Sequence, residues 1–351
     1  MRLVSAILFF ILFWGIFHFQ REPAESQVTF SDSFGDIVKK ADVQVAAIAM
    51  SEQEPERVLF VGDIMLSRNV EKIVKKYTSD YPYQHLRSVF DQHTYQVGNF
   101  EGSIPKVHVP TQPMKFQFSV DPTLLLGLKH ASFTHASLAN NHSFDYGKSG
   151  YSNTRSILFE SGIDTFGRAY SLATSSMTDL ALPNQNIGLL GIDLVLSTPN
   201  DEELTSIFKM ATEKYNFLIV YTHWGVEYEL SHSKQQERLA KKFIELGADL
   251  IIGHHPHVVQ DIQVYDGVLV FYSLGNFIFD QYFSEDVQTG LTLSATFDDE
   301  LVVTLLPITT MESKIAPRLM NPLEKDTFLR GLAERSDPEL STDILSGEIA
   351  F

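Results

Sequence analysis

The sequence predicts an α/β fold, and three observations predict it. Short apolar runs rich in Val, Ile, Leu and Phe recur from Arg57 onward. Runs that are apolar throughout suit strands buried on both faces. Stretches of helical period lie between them. In "KQQERLAKKFIELGAD", Leu239, Phe243 and Leu246 recur at i, i+4 and i+7, and Gly247 closes the pattern as a C-cap. Each apolar run then ends on a polar cluster, and in open α/β sheets ligands sit beyond the carboxyl ends of the strands.

Taken in order, the chain begins with "MRLVSAILFFILFWGIFHFQR", an apolar run over about 3–19 flanked by Arg2 and Arg21. At roughly 1.5 Å per residue it just spans a thin bilayer core. It is longer and bulkier than an ordinary signal core, and no A-x-A cleavage site follows. Residues 1–21 are therefore read as an uncleaved anchor ahead of a cleaved signal or a buried helix. Arg2 favours a cytoplasmic N-terminus, so that the body sits at the cell membrane on the extracytoplasmic side. Residues 22–55 are polar and mixed, a stalk with a short helix near 36–48. The α/β domain occupies 56–315. Its strand ends are "RVLFVGDIML", "YQVGNFEGSI", "FTHASLANNHSFDYG", "NFLIVYTHWGVEYE", "ADLIIGHHPHVVQ" and "GVLVFYSLGNFIFDQ". Residues 316–351 read as a helical tail for packing or oligomer contact.

Composition narrows the chemistry. Net charge is −17, with 44 acidic against 27 basic residues. Phosphate backbones need clustered Lys and Arg, so the charge balance argues against a nucleic-acid partner. With no cysteine in the chain, thiol nucleophiles, disulfides and thiolate metal sites are excluded, and any metal must be held by nitrogen and oxygen.

Asp63, Glu101, Asn141, His223, His255 and His257 make such a set. It suits two divalent cations, Mn, Fe or Zn, bridged by a carboxylate. A pair about 3.5–4 Å apart can clamp a phosphoryl group and activate a water. His142 is not needed as a ligand and is assigned to protonating a leaving oxygen. Asp145 caps the following helix or orients His142. Arg68, Glu227 and Asn276 are assigned to substrate. Arg68 would hold an anionic group, Glu227 would touch substrate or a ligand histidine, and Asn276 would, with Asp280, support the rim. Each residue has a plainer reading. An aspartate after a strand often only caps a helix, asparagines often serve turns, as Asn140 is read to do, and a lone histidine such as His223 is usually a satisfied interior group. His254 is read as a supporting or core residue. The company of the whole set favours ligation.

In this order the motifs "GDIMLSR", "GNFEGSI", "LANNHSFDYG", "THWGVEYE", "GHHPHVVQ" and "YSLGNFIFDQ", over 58–282, resemble the CapA/PgsA-type poly-γ-glutamate capsule biosynthesis proteins of the calcineurin-like metallophosphoesterase superfamily. The resemblance implies a four-layer α/β/β/α sandwich with a metal centre on its rim. It implies that Asp63 is the first-motif carboxylate and Glu101 the bridging acid. Asn141 would lie on metal, His142 near the leaving group, His223 would be the isolated histidine ligand, and His255 and His257 the closing H-x-H pair. Typical phosphoesterases have Asp-x-His in the first motif, whereas this chain has Met65 in the third place, a poor donor for hard cations. The capsule-type relatives share that feature.

Three functions follow as expectations. One is a membrane-anchored, metal-dependent hydrolase acting in synthesis or export of capsule poly-γ-glutamate. The second is a non-catalytic scaffold that binds metal or an anionic polymer among capsule synthase subunits. The third is a general extracellular phosphoesterase.

Overall fold

The computed structural model describes residues 56–351, apart from 184 and 299. The anchor, the stalk and the short helix expected over 1–55 lie outside the described residues. Among the described residues no helix is long and apolar enough to cross a membrane.

The elements run β1 (Arg57–Ile64), α1 (Arg68–Lys76), α2 (Arg87–Phe90), β2 (Tyr95–Phe100), α3 (Leu125–His130), β3 (His135–Ser137), α4 (Gly147–Glu160), β4 (Asp164–Phe166), β5 (Met177–Ala181), β6 (Asn186–Asp193), α5 (Asp201–Lys214), β7 (Phe217–His223), α6 (Lys234–Glu245), β8 (Leu250–His254), β9 (Ile262–Tyr265), β10 (Val268–Phe271), β11 (Asn276–Ile278), β12 (Thr289–Phe297), β13 (Leu301–Thr309), β14 (Arg318–Leu319), α7 (Pro322–Arg335), α8 (Ser341–Ser346) and β15 (Glu348–Ala350). They build two sheets. The larger has the order β14-β13-β12-β1-β2-β3-β4, with β11 beside β1 and β15 beside β13. The smaller has the order β5-β6-β7-β8-β10-β9. Strands β1 to β4 are parallel to one another, as are β6, β7, β8 and β10.

The alternation of side chains along each strand explains the layering. On β1, Val58 and Phe60 join Ile219 and Tyr221 of β7 in a core between the sheets. Leu59 and Val61 face the other way, into a core shared with Val70 of α1, Leu128 of α3 and Leu158 of α4. On β7, Leu218 and Val220 pack outward against Phe208 of α5 and Phe243 of α6. The layers are therefore helices, sheet, sheet, helices, which is why the strands read as unbroken apolar runs.

The segment 316–351 is part of the domain rather than a tail. β15 pairs with β13, and Leu329, Leu332, Ala333 and Ile344 lie in the inter-sheet core. Its helical stretch is as expected, since Asn321 caps α7 by accepting from the Leu323 and Glu324 amides.

Candidate metal centre

The parallel strands of both sheets end at one rim, and their registers put the polar residues side by side. On the larger sheet Asp63 pairs with Asn99 and Asn276. On the smaller, His223 pairs with Asp193 on one side and His254 on the other. Gly62 and Gly253 stand directly before Asp63 and His254. A Cβ on Gly62 would strike the Gly275 carbonyl, and one on Gly253 the Tyr272 carbonyl. Both strand ends need that close backbone approach to deliver the next side chain.

From the larger sheet, Asp63 is fully buried. Its Oδ1 accepts from Asn99 Nδ2 at 2.8 Å, and its Oδ2 lies 3.1 Å from His257 Nδ1. Glu101 is 1% exposed, and among the described residues both its carboxylate oxygens lack a hydrogen-bond partner. His142 Nε2 and His257 Nε2 each lie 3.8 Å from Glu101 Oε1. Asn140 shapes the turn after β3. It donates to Asn99 Oδ1 at 3.0 Å and to the Phe100 carbonyl at 2.9 Å, and it accepts from the His142 amide at 3.1 Å. That fits its turn reading and leaves Asn141 to face the site. Asn141 Oδ1 stands 2.9 Å from His223 Nε2.

From the smaller sheet come four imidazoles. His223 Nδ1 lies 3.3 Å from Asn99 Nδ2, and the His223 and His255 ring centroids are 4.8 Å apart. His254 sits over the Tyr221 ring, centroids 4.3 Å apart, with Nδ1 3.3 Å from Asp63 Oδ1. His255 and His257 hold left-handed backbone angles, φ 96° and 59°. Such backbone costs on the order of 1–3 kcal/mol per residue and gathers where the surrounding structure imposes it. His257 Nδ1 faces Asn276 Oδ1 at 3.0 Å as well as Asp63. With oxygens on that side it donates there, leaving Nε2 directed toward Glu101.

Electrostatics separates these groups. Burial pushes the Glu101 carboxyl well above the usual carboxylate range, His257 opposing it. Burial would also raise Asp63, but the adjacent imidazoles of His254 and His257 outweigh it and hold that carboxyl well below the usual range. His257 loses basicity by burial, yet Glu101 and Asp63 raise it to about 9. Burial and the nearby His257 lower His255 to about 4, and burial with His255 lowers His223 well below its ordinary value. At neutral pH the last two imidazoles are thus neutral, the form that binds metal, whereas His257 carries a proton that a bound cation would displace.

The residues fit a cation. Glu101 leaves two buried oxygens without donors, and His255 Nδ1 is buried without a partner among the described residues. Ligand atoms of Asp63, Glu101 and His257 lie within 4.8 Å of one another, as do those of Glu227, His255 and His257. Asn141 and His223 add an adjacent oxygen and nitrogen.

His142 stacks on Phe118, ring centroids 3.9 Å apart, and its Nδ1 is 2.9 Å from Asp145 Oδ2. The same Asp145 oxygen accepts from the Phe118 amide at 2.6 Å. Asp145 thus orients His142 rather than touching the cluster. Two of the residues assigned to substrate are engaged within the protein. Asn276 is committed to His257, to Gln281 Oε1 at 3.1 Å and to the Val287 carbonyl at 3.0 Å, so it holds a histidine in place. Arg68 is 9% exposed, pairs with Asp280 and lies 4.6 Å over the Phe118 ring, so its charge is already met. Glu227 is exposed, with its carboxylate near His255 and His257. Met65 is fully buried in the helix-side core, and its sulfur accepts from the Ser67 amide at 3.1 Å.

Sequence reasoning undervalued Asn99, while His254 is buried beside Asp63 as a supporting residue. Asn99 is the hub that joins Asp63, His223 and Asn140, and its one signal was its place two residues before Glu101.

Residues 57–281 match the family described as bacterial capsule synthesis protein PGA_cap. The capsule biosynthesis protein CapA of Bacillus anthracis is 31% identical, over 84% of this chain and 79% of that protein. The PGA biosynthesis protein CapA of Bacillus subtilis (strain 168) is 30% identical, over 83% of this chain and 81% of that protein. A solved structure described as a novel phosphatase, from Mycoplasma pneumoniae, superposes with a TM-score of 0.42 at 15% identity, over 78% of this chain and 98% of that one.

Proposed function

We propose, because the chain belongs to the bacterial capsule synthesis protein family, that it takes part in synthesis or export of the capsule polymer poly-γ-glutamate, and that its buried centre holds divalent cations for hydrolysis of a phosphoester. One observation carries the site's share of this reading. Glu101 is 1% exposed, with both carboxylate oxygens lacking a hydrogen-bond partner among the described residues. Burial pushes this carboxyl well above the usual carboxylate range, so it is held ionised only where a cation answers it.

A bound cation supplies Lewis acidity toward a phosphoryl oxygen and makes a nearby water acidic. The chain's residues do the rest. Asp63, Glu101, Asn141, His223, His255 and His257 hold the cations. Asn99 and Asn276 fix the side chains of Asp63, His223 and His257. Asp145 takes the His142 Nδ1 proton as a hydrogen bond, so the proton His142 can give up sits on Nε2, the nitrogen facing Glu101. That is where a leaving oxygen would collect it. The apolar run over 3–19 supports an anchor with the body outside the cell, beside synthase subunits and an anionic polymer.

A second reading, a scaffold without catalysis, is favoured by Met65, which turns away from the site where ordinary phosphoesterases supply a ligand. One complementation series tests both. In a deletion strain, wild type should restore capsule, whereas Asp63→Ala and His142→Ala should not, and protease added to intact spheroplasts should digest the protein. Full restoration by both variants would leave only the scaffold.

A further inference from the structure

We propose that Glu227 is a metal ligand, supplying with His255 and His257 the carboxylate that replaces the donor lost at Met65. The inference rests on the metal-centre reading above and adds a ligand to which the resemblance assigns no metal role. Its first ground is the fate of Met65. That side chain is fully buried among Leu59, Val61 and Val70, and its sulfur is occupied by the Ser67 amide. A donor has to come from elsewhere, or the cluster is one short.

The second ground is proximity. Ligand atoms of Glu227, His255 and His257 lie within 4.8 Å of one another, next to the group formed by Asp63, Glu101 and His257. The two groups share His257. His255 is 6% exposed, and its Nδ1 has no partner among the described residues. A buried imidazole nitrogen without a protein partner beside a carboxylate is a donor set that fits a cation.

The third ground is that the Glu227 loop is fastened to the histidine loop. The Trp224 amide donates to the His254 carbonyl at 3.0 Å, and the Tyr228 amide to the Pro256 carbonyl at 2.8 Å. Gln260 Nε2 holds the Glu229 and Ser231 carbonyls at 2.8 and 3.1 Å. Gly225 and Tyr228 take left-handed angles, φ 87° and 69°. An exposed glutamate on a free loop would be a solvated surface acid, whereas this one is carried on backbone pinned on both sides to the 254–256 segment that leads into the ligands.

The test is Mn²⁺ binding to the purified full-length protein, by equilibrium dialysis and by electron paramagnetic resonance of the bound ion. Glu227→Gln keeps the shape and removes the charge, Glu227→His returns a donor, and Asp63→Asn marks the neighbouring position. Wild type should bind two equivalents. Glu227→Gln should weaken one of them by at least the roughly 10–100-fold that losing even an outer partner costs, and should abolish the signal of a coupled pair. Glu227→His should restore both. Two unchanged equivalents in Glu227→Gln, with Asp63→Asn still losing metal, would overturn the role of Glu227 and leave the metal centre standing. A wild type that binds no metal would overturn both. Because Glu227 is exposed, thermal melts of the metal-free variants should match wild type, so a lost equivalent is not lost folding.

Discussion

The strand ends of the larger sheet carry Asp63, Asn99, Glu101 and Asn141, whose donors are carboxylate and amide oxygens, whereas those of the smaller sheet carry His223, His254, His255 and His257. The division is nearly complete, with His142 on the oxygen side and Glu227 on the nitrogen side as the exceptions. The Asp63, Glu101 and His257 group draws on both sheets, whereas Glu227, His255 and His257 all follow strands of the smaller one. Contacts between the two halves cross the gap, from Asn99 and Asn141 to His223 and from Asp63 to His257. Tyr221 of the smaller sheet also donates to the Val61 carbonyl of the larger at 3.0 Å. The geometry of the centre is therefore a property of how the sheets dock, and the inter-sheet core sets it.

The largest effect should come from disturbing that docking. Phe60 lies in the inter-sheet core and Phe208 in the outer core between the smaller sheet and its helices, both fully buried. Phe60→Ala and Phe208→Ala should each cost about 3–5 kcal/mol of stability by denaturant titration. At temperatures where both remain folded, only Phe60→Ala should weaken Mn²⁺ uptake. Equal loss of uptake in the two variants would mean that the site follows global stability, and the comparison of sheets would fail.

The next effect uses the imidazole on the oxygen side. His142 reaches the site through Asp145 and Phe118, while His223 is wedged between Asn99 and Asn141. His142→Ala should keep bound metal and lose about 10²–10⁴-fold in turnover of an aryl phosphate ester. His223→Ala should lose metal and activity together. If His142→Ala also released metal, it would count among the ligands and the division of labour would need redrawing.

Much of this was legible in the sequence because it depends on local pattern. Apolar runs buried on both faces gave strands β1, β7 and β8, and the polar residues at their ends gave Asp63, His223, His255 and His257. What the sequence concealed depends on contacts between distant segments. The contact of Asn276 with His257 is hidden until β11 pairs with β1. Arg68 looks free until Asp280 arrives from 212 residues away. The segment 316–351 reads as a tail because nothing local shows that β15 will pair with β13. Asn99 was hidden for the same reason, since its three partners come from three different strand ends.

The smallest effect concerns a strand end that joins neither set. Asp193 closes β6 in register with His223, yet it belongs to none of the candidate metal groups among the described residues. It is 3% exposed. Its Oδ1 accepts from the Val195 amide at 3.2 Å, and its Oδ2 has no partner among the described residues. Burial raises this carboxyl from 3.8 to about 6, against the pull of the Val195 and Leu196 amides. The raised value means that the folded protein keeps a proton the unfolded chain has lost. The contribution of Asp193 to stability is therefore complete below about pH 4, declines as pH rises to about 6, and stays lost above. At about 1.36 kcal/mol per unit the decline is at most about 3 kcal/mol. Asp193→Asn cannot ionise and should lack this slope, so the stability difference between wild type and variant should shift in the variant's favour from pH 4 to pH 6.5 by urea titration. Metal uptake at pH 7 should be unchanged. Parallel stability curves would show that Asp193 is not held protonated, and a loss of Mn²⁺ would place it with the imidazoles as part of the centre.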